Sequence, residues 1–317
     1  MIRSFAPRFV SRFVSRFGLR FAAAALSAAC AACAGTAPSP APAAVPAAAT
    51  PATRGGAATN PATAPATNPA TNPETAPATL GGAATNPAAS SPLVAIDVGH
   101  SPLDGGARSA RGAQEFSFNR RFARELADAL RRDGVVRPLV IQADRGGLML
   151  VERMRLATAA GAAGLLSIHH DSAQLRYFEP CRVDGRETHC CPRFRGHSVF
   201  VSRRGPAAEA SLAFARRVAE ELRRAGFVPT LHHAEPVPGE GRTLLDPGLG
   251  LYAFDDLRLL RGATIPAALL ECGVLVNPDE ELELSDPARR ARFAAAVAKA
   301  IEETFGAGAP GVTEGTK

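Results

Sequence analysis

The composition of the chain changes near residue 92, and this boundary limits what can fold. Residues 35–91 consist almost wholly of Ala, Pro, Thr, Asn and Gly, and Leu80 is their single Leu, Ile or Phe. Frequent proline removes backbone donors, and small side chains bury too little surface to offset the chain entropy lost on folding. We therefore expect a disordered linker over 35–91, a folded domain over 92–305 and a disordered tail over 306–317.

The segment 1–34 has the organisation of an export signal. Arginines precede the apolar run 21–26, and small residues follow up to Ala34. This order is typical of a signal peptide and predicts a periplasmic or secreted protein, with an amphipathic transit peptide or a misassigned start codon as alternatives. Cleavage could follow Ala34, or a lipid attached at Cys30 or Cys33 could anchor the protein to a membrane.

The positive charge of the chain is concentrated in that segment. The formal net charge is +6, but residues 1–34 hold five arginines and no acidic residue, which leaves +1 for the remainder. A nearly neutral domain has little electrostatic attraction for a polyanion. The charge distribution therefore argues against a nucleic-acid partner.

From residue 93 onward, short apolar runs alternate with amphipathic segments. The runs predict buried strands, and apolar residues spaced by four, as at Phe118, Phe122 and Leu126, predict helices. This alternation is typical of an α/β fold, with a mostly parallel central sheet of about six strands and helices on both faces. Strands are predicted at 93–98, 138–142, 164–169, 197–202 and 266–271, and helices at 115–132, 150–160, 207–225 and 287–305.

Ionisable side chains lie where three predicted strands end. His100 follows the first strand, His169 ends the third and Glu271 ends the fifth. Reactive groups collect at the carboxyl ends of strands in open α/β sheets. Glu115 opens the first helix on the side of Phe118, where a carboxylate is either a partner of the helix dipole or a ligand. Two imidazoles, one carboxylate and an open position suit catalytic zinc, although many folds could scatter such residues.

Four blocks carry these residues in order along the chain. They are IDVGHSPLDGGA with GAQE (96–107 and 112–115), an arginine-containing segment (144–157), LSIHHD (166–171) and IPAALLECGVLVN (265–277). Together they resemble the zinc-dependent N-acetylmuramoyl-L-alanine amidases of the amidase-3 type, a family of cell-wall enzymes. The resemblance spans nearly all of 93–305 and implies a phosphorylase/hydrolase-like α/β fold.

The resemblance also implies a site and a reaction. Zinc would be held by His100, Glu115 and His169, and Glu271 would be the catalytic carboxylate that accepts a proton from the attacking water. The implied target is the amide between N-acetylmuramic acid and L-alanine in peptidoglycan, cut in cell-wall turnover or daughter-cell separation. A zinc peptidase acting on the stem peptide and a non-catalytic wall-binding protein are the alternatives, and the intact Glu271 argues against the second.

The loop after the first strand departs from the family pattern. Ser101 and Pro102 replace two glycines, which predicts a stiffer loop at His100. Many relatives carry a long helical insertion that covers the zinc until an activator protein releases it. Neither long connection here has the pattern of such a helix, so control by an activator protein is a hypothesis.

Residues beside the candidate ligands are given other roles. Adjacent strand residues face opposite sides, so His170 cannot replace His169, although it could touch substrate. Asp171 could orient a ligand histidine. Arg153 is either structural or a partner for a site carboxylate, and the structural role is favoured.

The cysteines of the mature chain are expected to be structural. Cys181, Cys190 and Cys191 lie in an insertion of about 174–195, where an oxidising compartment favours a disulfide from Cys181 to Cys190 or Cys191. Free thiols and a second zinc site using nearby histidines are the alternatives. Cys272 is expected to pack as a small hydrophobe on the face opposite Glu271.

A second long connection covers about 232–257. It contains the pair His232-His233 and several Pro and Gly residues. Its place after the third long helix predicts that it lines or covers the substrate groove.

Overall fold

The computed structural model describes residues 91–143 and 147–306. The strands are β1 (Leu93–Val98), β2 (Arg137–Ile141), β3 (Gly164–Asp171), β4 (Glu179–Val183), β5 (Arg186–Cys190), β6 (Ser198–Val201), β7 (Thr243–Asp246), β8 (Leu251–Ala253) and β9 (Ala267–Val274). The α-helices are α1 (Glu115–Asp133), α2 (Leu150–Ala159), α3 (Ala208–Arg224), α4 (Arg258–Arg261), α5 (Pro278–Ser285) and α6 (Pro287–Phe305). Short 3-10 helices cover Leu175–Tyr177 and His232–Ala234.

Several predictions concern segments outside that range. The predicted signal peptide at 1–34, the linker up to residue 90 and the tail from residue 307 all lie outside the described residues, as do residues 144–146 of the second block. Within the described ranges, no helix combines the length and apolar character needed to cross a membrane.

The central sheet has seven strands in the order β2-β1-β3-β9-β6-β8-β7. The first four run parallel to one another, β6 is antiparallel to β9, and β8 is parallel to β6 but antiparallel to β7. This mixed sheet confirms the α/β class. The seven strands agree with the expected number of about six, and β7 and β8, with four and three residues, are too short to show a pattern in the sequence.

Helices cover both faces of the sheet, and alternate residues of one strand supply both cores. Leu166 and Ile168 of β3 pack in one cluster with Phe122 of α1, whereas Leu165 packs in the other with Met154 of α2. Burial on both faces explains why these strands appear in the sequence as continuous apolar runs. Removing a side chain such as Phe122 from water contributes about 1.5–3 kcal/mol.

The helix α1 brings its first residue to the carboxyl edge of the sheet. Apolar residues spaced by four line the buried side of the helix. The helix ends at Gly134, which has φ 72° and donates its N–H to the carbonyl of Leu130 at 3.0 Å. A left-handed glycine at this place is a common helix stop. The predicted span of 115–132 is therefore confirmed to within one residue.

The insertion after β3 forms a hairpin of β4 and β5 closed by a disulfide. Cys181 is bonded to Cys190, which is one of the two predicted pairings, and Cys191 is free and buried. Cys272 is buried in the cluster that contains Phe122, which confirms the expected packing role.

Candidate metal and catalytic site

His100, Glu115 and His169 converge at the carboxyl edge of the sheet. One ligand atom from each residue can be chosen so that all three lie within 4.8 Å of one another. Glu115 Oε2 is 3.0 Å from His100 Nε2, and Glu115 Oε1 is 3.0 Å from His169 Nδ1. The carboxylate therefore lies between two imidazoles, at separations that a single small cation could bridge.

The loop that carries His100 turns sharply after β1. His100 has φ 64°, a left-handed conformation that is uncommon outside glycine. Ser101 donates its N–H to the carbonyl of Asp104 at 2.9 Å, and Ser101 Oγ accepts the N–H of Asp104 at 3.0 Å. These two bonds close the turn that carries His100.

Arg153 of α2 forms hydrogen bonds to the strand end and the loop around His100. Its Nη1 donates to Asp97 Oδ1 at 2.7 Å, and its Nη2 donates to the backbone carbonyl of His100 at 2.7 Å. Ser167 Oγ donates to the other oxygen of Asp97 at 2.7 Å. Arg153 therefore has the structural role that the sequence favoured: it fixes the backbone at His100 rather than pairing with a candidate ligand.

Two glycines leave room for the cluster. A Cβ at Gly99 would lie 2.4 Å from His169 Cε1, and a Cβ at Gly106 would lie 2.4 Å from Glu115 Oε2. Gly106 also has φ 71°, a conformation that other residues adopt at a cost. A side chain at either position would displace a candidate ligand.

The hydrogen bonds of Glu115 favour its ionised form. Oε2 accepts the N–H of Ala107 at 3.0 Å, and Oε1 accepts Nδ2 of Asn119 at 3.0 Å and the N–H of His170 at 3.3 Å. Burial alone would raise the pKa of Glu115, but the two neighbouring imidazoles hold it well below its ordinary value. The group between the histidines is therefore a carboxylate.

Glu271 stands beside His169 on the neighbouring strand. The two residues are register partners in the β3–β9 pair, so their side chains point to the same face of the sheet. Although the residue is partly exposed, Glu271 Oε2 is buried and has no hydrogen-bond partner in the described part of the chain. Burial raises the pKa of Glu271 well above its ordinary value, and the charges of Asp171 and Glu115 raise it further. Such a carboxyl group is suited to accepting and returning a proton.

His170 lies on the opposite face of β3 and is structural. Its Nδ1 is 2.7 Å from Asn119 Oδ1, and its ring centroid is 5.6 Å from that of Phe118. Burial lowers the pKa of His170 to about 3, so the ring is neutral. With 3% of its surface exposed, His170 offers no surface for the substrate contact considered for it.

Asp171 has a different partner from the one predicted. Its Oδ2 lies 2.7 Å from Nε2 of His233, which belongs to the connection 232–257, rather than beside His100 or His169. The expectation that Asp171 orients one of those ligand histidines is therefore wrong. The contact does bring the connection to the end of β3, and its predicted place along the substrate groove stays a prediction.

Asn119 is the site residue that sequence reasoning missed. It is 0% exposed, donates to Glu115 Oε1 and also donates to the carbonyl of Gly99 at 3.3 Å. Its position four residues after Glu115 puts both on one helix face, and this spacing was the available signal.

The chain is similar to known amidases in sequence. Residues 94–303 match the model of the N-acetylmuramoyl-L-alanine amidase family. The amidase AmiA of Salmonella typhimurium is 27% identical over 252 residues, which cover 68% of this chain and 77% of the relative. AmiA of Escherichia coli is 25% identical over 249 residues, covering 67% and 76%.

Solved structures show the same fold. The catalytic domain of CwlV, an N-acetylmuramoyl-L-alanine amidase from Bacillus (Paenibacillus) polymyxa, aligns with a TM-score of 0.51 and 25% identity, covering 67% of this chain and 97% of that one. Ami1 from Mycobacterium smegmatis aligns with a TM-score of 0.53 and 22% identity, covering 68% and 96%. Because the family model matches well over half of the sequence, the chain belongs to the N-acetylmuramoyl-L-alanine amidase family.

Proposed function

We propose that the protein hydrolyses the amide between N-acetylmuramic acid and L-alanine in peptidoglycan, using zinc held by His100, Glu115 and His169 and Glu271 as the catalytic carboxylate. The observation that carries this proposal is the meeting of a three-ligand cluster with a buried carboxyl group on the adjacent strand. Family membership supports the same bond as the target.

The donor set fits zinc. Imidazole nitrogen and carboxylate oxygen are ordinary zinc ligands, and three of them leave an open position for water or substrate. His100 Nε2 is buried and lacks a hydrogen-bond partner within the described ranges, although it lies 3.0 Å from Glu115 Oε2. A buried nitrogen left in this way is costly unless it binds something else, and a cation would use its lone pair.

The residues of the chain then have separate tasks. A bound zinc ion would polarise the scissile carbonyl and make water more acidic. Glu271 accepts the proton of the attacking water and returns it to the nitrogen of the departing L-alanine. Arg153 and Asn119 keep His100 and Glu115 in position through the hydrogen bonds described above.

The proposed cellular role and location of the enzyme rest on the sequence. A role in cell-wall turnover or daughter-cell separation, in the periplasm or outside the cell, agrees with the predicted export signal. A lipid anchor at Cys30 or Cys33 and control by an activator protein stay predictions.

The test is a digest of purified muropeptides with the zinc-loaded protein. New L-alanine amino termini with intact sugar would support the proposal, whereas cuts inside the stem peptide would support a peptidase and contradict it. Glu271→Gln should lose activity by about 10²–10⁴-fold because it cannot move the proton. Glu209→Gln, an exposed position on α3, is the matched control and should keep full activity.

A further inference from the structure

A second cluster of metal-ligating side chains lies at the end of β3. Asp171 Oδ2 is 2.7 Å from His233 Nε2 and 3.4 Å from His232 Nε2. One ligand atom from each of the three residues lies within 4.8 Å of the other two. All three residues are buried, with 9%, 2% and 7% of the surface of Asp171, His232 and His233 exposed. The cluster therefore joins the end of β3 to the connection 232–257, separately from the first cluster.

The outer nitrogen of each histidine is already bonded. His233 Nδ1 lies 3.0 Å from Glu240 Oε2, and His232 Nδ1 lies 2.8 Å from Thr230 Oγ1. The carboxylate of Glu240 accepts the Nδ1 proton of His233 and leaves the lone pair on Nε2, which is the tautomer that binds a metal. The hydroxyl of Thr230 can accept the Nδ1 proton of His232 with the same result. Both Nε2 atoms face the carboxylate of Asp171.

The carboxylate of Asp171 is oriented in a similar way. Its Oδ1 accepts the N–H of Ser172 at 2.7 Å, so Oδ2 is left to face the two histidines. Two ligands of a tetrahedral zinc ion, each about 2.0–2.1 Å from the metal, are about 3.3 Å apart. The 3.4 Å from Asp171 Oδ2 to His232 Nε2 is close to that value, whereas the 2.7 Å to His233 Nε2 is a hydrogen-bond contact that would have to lengthen when a metal binds.

The nitrogen Nε2 of His232 decides between an ion pair and a metal site. A protonated His233 would satisfy both Asp171 and Glu240, and the cluster would then need no metal. A proton on His233 would still leave His232 Nε2 unsatisfied, because this atom is buried without a hydrogen-bond partner in the described part of the molecule. A shared cation uses all three inward-facing atoms, including the one that a proton on His233 leaves unpaired.

We propose that Asp171, His232 and His233 form a second site for a divalent transition metal of the zinc class, distinct from the cluster at His100. Imidazole with carboxylate favours such ions over calcium and magnesium, which prefer oxygen ligands alone. Occupation would fasten the connection 232–257 to the end of β3. The proposal does not depend on the amidase activity, because metal binding itself is what it predicts.

The test is the zinc stoichiometry of the full chain. Protein stripped of metal with a chelator is titrated with Zn²⁺ in a calorimeter, and bound zinc is measured by elemental analysis after gel filtration. We expect two equivalents for the unaltered protein and one for His232→Gln. The double variant His100→Gln/His169→Gln should also bind one, and the triple variant should bind none. His189→Gln, which removes an exposed histidine of β5, is the control and should keep two.

Each result separates the two sites. A single equivalent that disappears in His100→Gln/His169→Gln but survives in His232→Gln would overturn the second site. A single equivalent with the reverse pattern would support the second site and contradict the proposed catalytic one. If circular dichroism shows that His232→Gln does not fold, Asp171→Asn replaces it with the same expectation. Cobalt substitution gives an independent check, since the visible absorption of Co²⁺ should double in intensity with two sites filled and not with one.

Discussion

The backbone carbonyl of His100 accepts a 2.7 Å hydrogen bond from Arg153 Nη2, which lies 53 residues further along the chain. The same guanidinium binds Asp97 at the end of β1, so one side chain fixes both the strand end and the loop that follows it. The position of the His100 imidazole therefore depends on a helix that contributes no candidate ligand of its own.

Arg153→Lys should weaken zinc binding by roughly 10–100-fold, as removal of outer-shell support commonly does. A lysine keeps the charge but cannot reach Asp97 and the His100 carbonyl together, because it lacks the planar fork of arginine. Zinc affinity measured by competition with a chromophoric chelator checks this. Arg155→Lys, at an exposed position of the same helix, is the control, and equal affinities for the two variants would contradict the role assigned to Arg153.

Gly106→Ala should abolish the first cluster as a metal site. The new Cβ would meet Glu115 Oε2 at 2.4 Å and His100 Cδ2 at 2.5 Å. Gly112→Ala is the matched control, since Gly112 also has positive φ, at 85°, but has no atom within 4 Å of an added Cβ. In both variants the free energy of unfolding should fall by about 1 kcal/mol, because alanine is strained at positive φ. Zinc retention by Gly106→Ala would show that the loop tolerates a side chain there.

Asn119→Leu should destabilise the protein and lower its activity together. It removes the donor to Glu115 Oε1 and the partner of His170 Nδ1, and a buried polar group left unpaired costs about 1–3 kcal/mol. Urea unfolding measures the loss of stability, and zinc affinity measures the effect on Glu115. Asn119→Asp should lower the free energy of unfolding of the zinc-free protein more than Asn119→Leu does, since it places a second negative charge against Glu115. A wild-type stability for Asn119→Asp would argue against an ionised Glu115.

His197 should make the fold sensitive to acid. Burial lowers the pKa of His197 to about 4 from an ordinary value of 6.5, so the folded protein holds this ring neutral while the unfolded chain protonates it. The resulting stability is present in full above pH 6.5 and is lost as the pH falls toward 4, by about 3 kcal/mol in total. Unfolding with urea in the presence of a chelator, at several pH values in this window, measures the slope. His197→Gln should flatten the slope by at most about 1.4 kcal/mol per pH unit, and His189→Gln should not.

The sequence predicted most of the fold because the strands that matter are buried on both faces. The continuous apolar runs of β1, β3 and β9 cannot be exposed, and the spacing of Phe118, Phe122 and Leu126 fixes the buried side of α1. The pairing of β6 against β9 could not be predicted in this way. Strand direction depends on how the chain returns, and the irregular connection after α3 carries no periodicity that reports it.

The candidate site was predictable where it depends on strand ends and not where it depends on distant loops. His100 follows a predicted strand, and His169 and Glu271 end predicted strands, so strand position and the matched motifs both pointed to them. The contact from Asp171 to His233 spans 62 residues of sequence, and the irregular connection that carries His233 gives no signal of where it folds back. Local periodicity does not determine such contacts, whereas chain entropy and packing of the whole loop do.

Side chains alternate along β9, so the apolar packing of this strand decides which side chain faces the candidate site. Leu270 and Cys272 are buried in the cluster on one face, and Glu271 between them faces the other. A slip of one residue between β3 and β9 would bring a thiol to the candidate metal ligands and place a carboxyl group among leucines and phenylalanines. The hydrophobic residues of this strand therefore fix the register that places Glu271, and not Cys272, beside His169.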